Sequence, residues 1–186
     1  MFFAARAATW ETRFPEDGPA YARAVTDAGV PAGVFALDVG CGTGRALDPL
    51  AAAVGRAGRA LGVDVTPEML AEGRARGRRG LVLADGHDLP LPDACVDVVF
   101  AAGYVNHTPD PAMALRELGR VSRPGGRLVV FHPIGRAALA AKRGTVPRDD
   151  DLLAPRRLAG VLGTSGWVLG HVDDAKDRYL ALATRG

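Results

Sequence analysis

The chain has 186 residues, enough for one domain with a sizeable core and too few for two full ones. Apolar residues make up 48% and charged residues 24%, which is the composition of a globular protein and excludes the disordered class. A formal charge of +2 gives little support to nucleic acid as a partner, and no apolar run reaches the length of a membrane span.

Residues 1–10 lack the basic start and long apolar stretch of a secretory leader, so the expected location is the cytoplasm. Tyr21, Val25 and Ala28 recur at helical spacing, and Gly29 followed by Pro31 stops that helix. Residues 1–30 are expected to form a helical lid on a single domain that spans residues 1–186. The first strand is expected over residues 34–40, and a helix over residues 46–54 in which Pro49 either lies in the first turns or makes a kink. A second strand over residues 59–65 leads to Thr66-Pro67-Glu68, which reads as an N-cap with proline at the first helical position. That helix ends in Arg74, Arg76, Arg78 and Arg79, where solvated cations would complement the helix dipole.

Residues 81–84 form a third expected strand, closed by Asp85-Gly86-His87, and residues 96–102 a fourth, apolar apart from Asp97 as in a strand buried on both faces. A helix over residues 112–121 meets the turn Arg123-Pro124-Gly125-Gly126 before a fifth strand at residues 127–131. Residues 134–151 read as a short helix and a loop able to cover a site, residues 151–164 as a helix, and residues 167–172 with 179–183 as a closing hairpin. Strands alternating with helices predict a Rossmann-like, doubly wound α/β fold. Cys41 and Cys95 have no metal-ligand spacing around them, so neither a metal site nor a disulfide framework is expected.

The chemistry concentrates at the expected strand ends. Gly40, Gly42 and Gly44 form a G-x-G-x-G turn after an apolar strand, a place where a ligand approaches backbone without a Cβ in the way. Asp64 stands 20 residues beyond Gly44, where a carboxylate can accept both hydroxyls of a ribose. Asp85 offers an acceptor to an adenine amino group, beside the backbone of Gly86 and His87. Three such endings on successive parallel strands meet at one edge of a sheet. A nicotinamide enzyme would share these features, but its fingerprint places the third glycine one residue later than Gly44.

With LDVGCGTGR at residues 37–45, GVDVTPEML at 62–70, ADGHDLPLPD at 84–93 and ALRELGRVSRPGGRLVV at 114–130, the chain resembles the class I S-adenosylmethionine-dependent methyltransferases. The likeness is to their small-molecule group, typified by ubiquinone- and menaquinone-biosynthetic enzymes. It implies a seven-stranded, mostly parallel sheet with an antiparallel last strand. It also implies S-adenosylmethionine as cofactor, S-adenosylhomocysteine as product and a small-molecule methyl acceptor. The implied cofactor residues are Asp38, Gly40, Cys41, Gly42, Gly44, Asp64, Val65, Met69, Asp85, Gly86, His87 and Ala102.

An activated methyl group needs mainly an aligned nucleophile in a dry pocket, and a base only where the acceptor must lose a proton. His107 and His132 are the candidate bases, with Tyr104 beside them. Trp10, Arg13 and Asn106 are the candidate substrate-side residues, Arg13 also being able to meet the cofactor's methionine carboxylate. Asp97 enters at the far end of the fourth strand and reads as structural. A protein that binds the cofactor without catalysis is the alternative reading.

Overall fold

A computed structural model of the chain describes residues 2–15 and 17–186; Met1 and Glu16, both inside the expected lid, lie outside the described residues. The chain opens with a 3-10 turn at Ala4–Thr9, the short helix α1 (Trp10–Arg13) and α2 (Asp17–Asp27). Strands and helices then alternate through β1 (Phe35–Val39), α3 (Leu47–Val54), β2 (Arg59–Asp64), α4 (Pro67–Ala75), β3 (Leu81–Leu83), β4 (Val96–Ala102), α5 (Pro111–Val121) and β5 (Ser122–His132). The chain closes with α6 (Arg136–Lys142), α7 (Pro155–Thr164), β6 (Trp167–Ala175) and β7 (Arg178–Arg185).

The seven strands form one sheet in the order β3-β2-β1-β4-β5-β7-β6. β1 pairs in parallel with β2 and β4, β2 with β3, and β4 with β5, while β7 runs antiparallel to both β5 and β6. This is the doubly wound sheet the sequence predicts. Side chains alternate across it, as the strand period of two requires. Leu37, Val39, Val99 and Leu128 pack with Leu115 and Leu118 of α5, Leu158 and Leu162 of α7, and Trp167. Ala36, Val98, Phe100, Val129 and Phe131 face the other way, toward Ala24 and Val25 of α2 and Leu50 and Val54 of α3. Trp167 is buried in the core, and its indole N–H donates to the Leu115 carbonyl oxygen at 2.9 Å, so the one polar atom of that ring is satisfied.

Several expectations are corrected in detail. Residues 123–126 are not a turn before a strand but an irregularity within β5, where the pairing jumps from Val96↔Ser122 to Val98↔Arg127. Gly125 absorbs it with φ +75°. The helix expected from residue 151 begins at Pro155, where proline suits the first turn. The Thr66 side chain makes no capping bond; instead the Asp64 carboxylate accepts the Thr66 backbone N–H at 2.8 Å. Arg78 is not a solvated helix end, because its guanidinium reaches back to the N-terminal segment at Glu11. Among the described residues no helix is long and apolar enough to cross a membrane, and no group of three His, Cys, Asp or Glu is placed to hold a metal ion.

Candidate functional site

The carboxyl ends of β1, β2 and β3 are neighbours, and neighbouring strands lie roughly 5 Å apart, so the three ends together span the width of a nucleoside. Gly40, Gly42 and Gly44 all take positive φ, at +64°, +56° and +84°. The backbone there turns back on itself before α3, a path closed to most side chains. A Cβ on Gly42 would meet nothing within 4 Å, so this glycine presents open backbone to the cleft. Asp64 pins the turn by accepting the Gly42 N–H at 2.8 Å on Oδ2 and the Thr66 N–H at 2.8 Å on Oδ1. Each of its oxygens keeps a second lone pair for a ligand hydroxyl.

Asp38 lies just before the turn, 1% exposed, and its Oδ1 has no partner among the described residues. Burial, and then the nearby Asp64 charge, push its carboxyl well above the usual carboxylate range. An orphaned acceptor of this kind suits a cationic ligand group. At the third strand end, Asp85 Oδ1 accepts the His87 N–H at 2.9 Å and meets His87 Nδ1 at 2.8 Å. The backbone bond, followed by the imidazole, lowers the Asp85 pKa. His87 Nε2 meets the Thr108 hydroxyl at 2.8 Å, tying this strand end to the segment after β4. Val65 is exposed beside Asp64, whereas Met69 and Cys41 are buried beneath the loop. Burial pushes the Cys41 thiol up, leaving it a neutral packing group.

The segment after β4 turns at Tyr104, whose carbonyl accepts the N–H groups of His107 and Thr108 at 3.0 Å each. The Tyr104 ring is half-buried and its hydroxyl fully so, without a hydrogen-bond partner among the described residues. Burial raises its pKa, so it stays a neutral phenol. Ala102 is half-buried and Asn106 exposed. His107 and His132 stand close enough to sense each other and Arg143, which follows α6. Burial first lowers both pKa values, joined at His107 by the Arg143 cation and at His132, against the opposing bond to Ile134, by His107 and then Arg143, so both imidazoles are neutral at pH 7.

The sequence reading missed what holds the N-terminal segment over the glycine turn. The Glu11 carboxylate accepts from the Thr43 hydroxyl and from Arg78 Nη1 at 2.6 Å, and pairs with Arg45 Nε at 3.2 Å. Arg45 also reaches Asp17 at 3.1 Å and the carbonyls of Phe14, Trp10 and Glu11 at 2.8, 3.2 and 3.3 Å. Burial alone would raise the Glu11 pKa, but the bonds from Arg78 and Thr43 and the Arg45 charge outweigh it and hold it at about 2. The only local signal was a cation directly after the last glycine. Trp10 is half-buried, edge-on to Phe3 and Phe14, and Phe3 in turn is edge-on to His107. Arg13 is exposed and makes no ion pair among the described residues; the arginines that bind carboxylates here are Arg45 and Arg78.

Comparison with known proteins agrees with this geometry. Residues 37–130, half of the chain, match the family described as methyltransferase domain. The chain is 44% identical over 105 residues to an uncharacterized 37.1 kDa protein in transposon TN4556 of Streptomyces fradiae, covering 54% of this chain and 30% of that protein. It is 38% identical over 111 residues to a demethylmenaquinone methyltransferase of Staphylococcus aureus, covering 58% of this chain and 46% of the relative. The chain thus spans less than half the length of these curated relatives. Among solved structures, a SAM dependent methyltransferase from Aquifex aeolicus superposes with a TM-score of 0.74 at 24% identity over 89% of each chain. A possible histamine N-methyltransferase from Thermotoga maritima superposes with a TM-score of 0.76 at 17% identity, over 99% of this chain and 98% of that one. These structural likenesses establish the fold. The chain belongs to the methyltransferase-domain family and has the fold of class I S-adenosylmethionine-dependent methyltransferases.

Proposed function

We propose that this chain transfers the methyl group of S-adenosylmethionine to a small-molecule acceptor and releases S-adenosylhomocysteine. The reading is carried by three adjacent strand ends that gather a buried carboxylate with an orphaned oxygen, an open glycine turn and two further carboxylates. These residues fit the cofactor. Asp38 offers its unpaired oxygen to the cationic amino group, and Gly40, Cys41, Gly42 and Gly44 let the methionine chain lie against backbone. Asp64 would hold the ribose, Val65 and Met69 would flank the adenine, and Asp85 would accept from its amino group beside Gly86 and His87. Ala102 stands where the methyl group is presented.

The bound cofactor supplies a sulfonium-activated methyl group, and the protein's task is to align the acceptor and keep water out. Where the acceptor must lose a proton, His107 or His132 is neutral and can take it. No proton transfer is assigned to Tyr104, whose hydroxyl is buried and protonated. Residues 1–30 act as a lid latched by Glu11 and Arg45, with Trp10 facing the acceptor side alongside Asn106, and residues 134–151 bring Arg143 over the two histidines. Arg13 is left to the solvent-facing surface of the lid. The name of the Staphylococcus aureus relative supports a small-molecule acceptor.

A thermal-shift comparison of S-adenosylmethionine, S-adenosylhomocysteine and NAD tests the reading. The first two are expected to raise Tm by several degrees, as ligands that bind only the folded state must. Stabilisation by NAD in their place would refute it.

A further inference from the structure

Gly40 and Gly86 end neighbouring parts of the cleft, and the Tyr104 ring lies between them. A Cβ on Gly40 would stand 2.7 Å from Tyr104 Cδ2, and a Cβ on Gly86 would overlap the Tyr104 hydroxyl and approach Val39 Cγ2 to 3.0 Å. The two glycines therefore form a slot shaped to the phenol. Gly40 follows β1 and Gly86 follows β3, the strand ends on either side of Asp64, so the phenol lies against two of the residues assigned above to the cofactor. The ring also packs against the hydrophobic core. Its hydroxyl is shut away from solvent, with the Thr108 side chain near it but no bond of good geometry among the described residues, an arrangement that forfeits the water it would otherwise bind.

We propose that Tyr104 is a gate that occupies the nucleoside part of the cleft and must turn out of the slot before S-adenosylmethionine can enter. The proposal rests on the cofactor reading above. A planar ring seated against Gly40 and Gly86 takes up space that those glycines would otherwise give to a nucleoside, and the two cannot share it. Gly103, with φ +64°, turns the chain at the end of β4 while its N–H stays bonded to the Phe131 carbonyl at 2.8 Å, so the swing belongs to the Tyr104 side chain beyond it. Val105, next in the chain, is buried and anchors the segment, so the movement is confined to the tyrosine side chain and its immediate backbone. The apparent affinity for the cofactor is then its intrinsic affinity multiplied by the fraction of molecules with the gate open. The orphaned hydroxyl favours opening, because turning out returns it to water.

The test is calorimetric titration of S-adenosylhomocysteine into the wild-type chain, Tyr104→Ala and Tyr104→Phe, with thermal melts to confirm folding. Removing the ring is expected to tighten binding about tenfold, since the closed fraction disappears. Removing only the hydroxyl keeps the plug and deletes what disfavours it, so Tyr104→Phe is expected to bind several-fold more weakly than wild type. If Tyr104→Ala does not fold, Tyr104→Leu carries the same predicted sign. Unchanged or weaker binding by the ring-deleted variant would overturn the gate and make Tyr104 a wall or a direct contact. Binding of S-adenosylhomocysteine to none of the proteins would instead overturn the cofactor reading, and the gate with it.

Discussion

Asp38 and Asp97 lie on neighbouring strands, one near the carboxyl end of β1 and the other near the amino end of β4, and the fold treats their carboxylates in opposite ways. Asp97 Oδ2 accepts the Phe35 N–H at 2.8 Å, and its other oxygen pairs with Arg123. Asp38 is more deeply buried, yet one of its oxygens has no partner among the described residues. A carboxylate whose bonds are all internal holds two strands together. One left wanting in the interior costs stability, and such a residue is retained where a ligand completes it. The same contrast runs along the sheet. Its amino end is stitched by backbone and side-chain bonds, whereas its carboxyl end carries the open backbone of Gly42 and, among the described residues, an acid and a phenol whose oxygens lack a well-formed bond.

Substitutions at both ends sharpen this contrast, and the largest effect is expected at Asp64. Asp64→Ala removes the bond to Gly42 and the proposed ribose acceptor together, and should weaken S-adenosylhomocysteine binding roughly 100-fold, about 3 kcal/mol, by calorimetry. Asp38→Asn should weaken binding roughly tenfold while raising Tm at pH 7. The sign follows from its raised pKa: the folded state binds the proton more tightly than the unfolded chain, so the charged residue lowers stability as pH rises, and the amide does not. A fall in Tm for Asp38→Asn would break the contrast.

Glu11→Gln should weaken binding only a few-fold, because it loosens the lid and not the cleft. Its stability cost, roughly 1–3 kcal/mol at pH 7, should shrink on acidification. Glu11 has a folded pKa of about 2 against an ordinary 4.5, so its contribution is complete above about 4.5 and is lost as pH falls toward 2. Melting curves of wild type and variant at pH 7 and pH 3 measure the difference. Smallest in binding is Asp97→Ala, which should lower Tm by several degrees through the unpaired Phe35 N–H and leave cofactor affinity unchanged.

The sheet and the cleft's carboxylates were legible in the sequence because their causes are local. Apolar runs such as residues 98–102 are long enough to name a buried strand, and Gly40, Asp64 and Asp85 each follow such a run directly. The lid latch was not legible, since Glu11 and Arg78 stand 67 residues apart and a cation at a helix end already has a sufficient local explanation. Thr66 does hold the N-cap position of α4, but only the fold shows that its side chain makes no capping bond and that the Asp64 carboxylate accepts its N–H. The surroundings of Tyr104 were not legible for a related reason. Its slot is made by Gly40 and Gly86, from two other strand ends, and nothing beside it in the chain announces them.

The account turns on whether the carboxyl end of the sheet holds an adenosyl group through Asp64, and one paired titration decides it. S-adenosylhomocysteine is titrated into wild type and Asp64→Ala in the same buffer, with melting curves showing both to be folded. A saturable wild-type isotherm that collapses in the variant is the predicted result. Equal affinity in the two proteins would contradict the account, because the ligand would then be bound without the carboxylate on which the site is built.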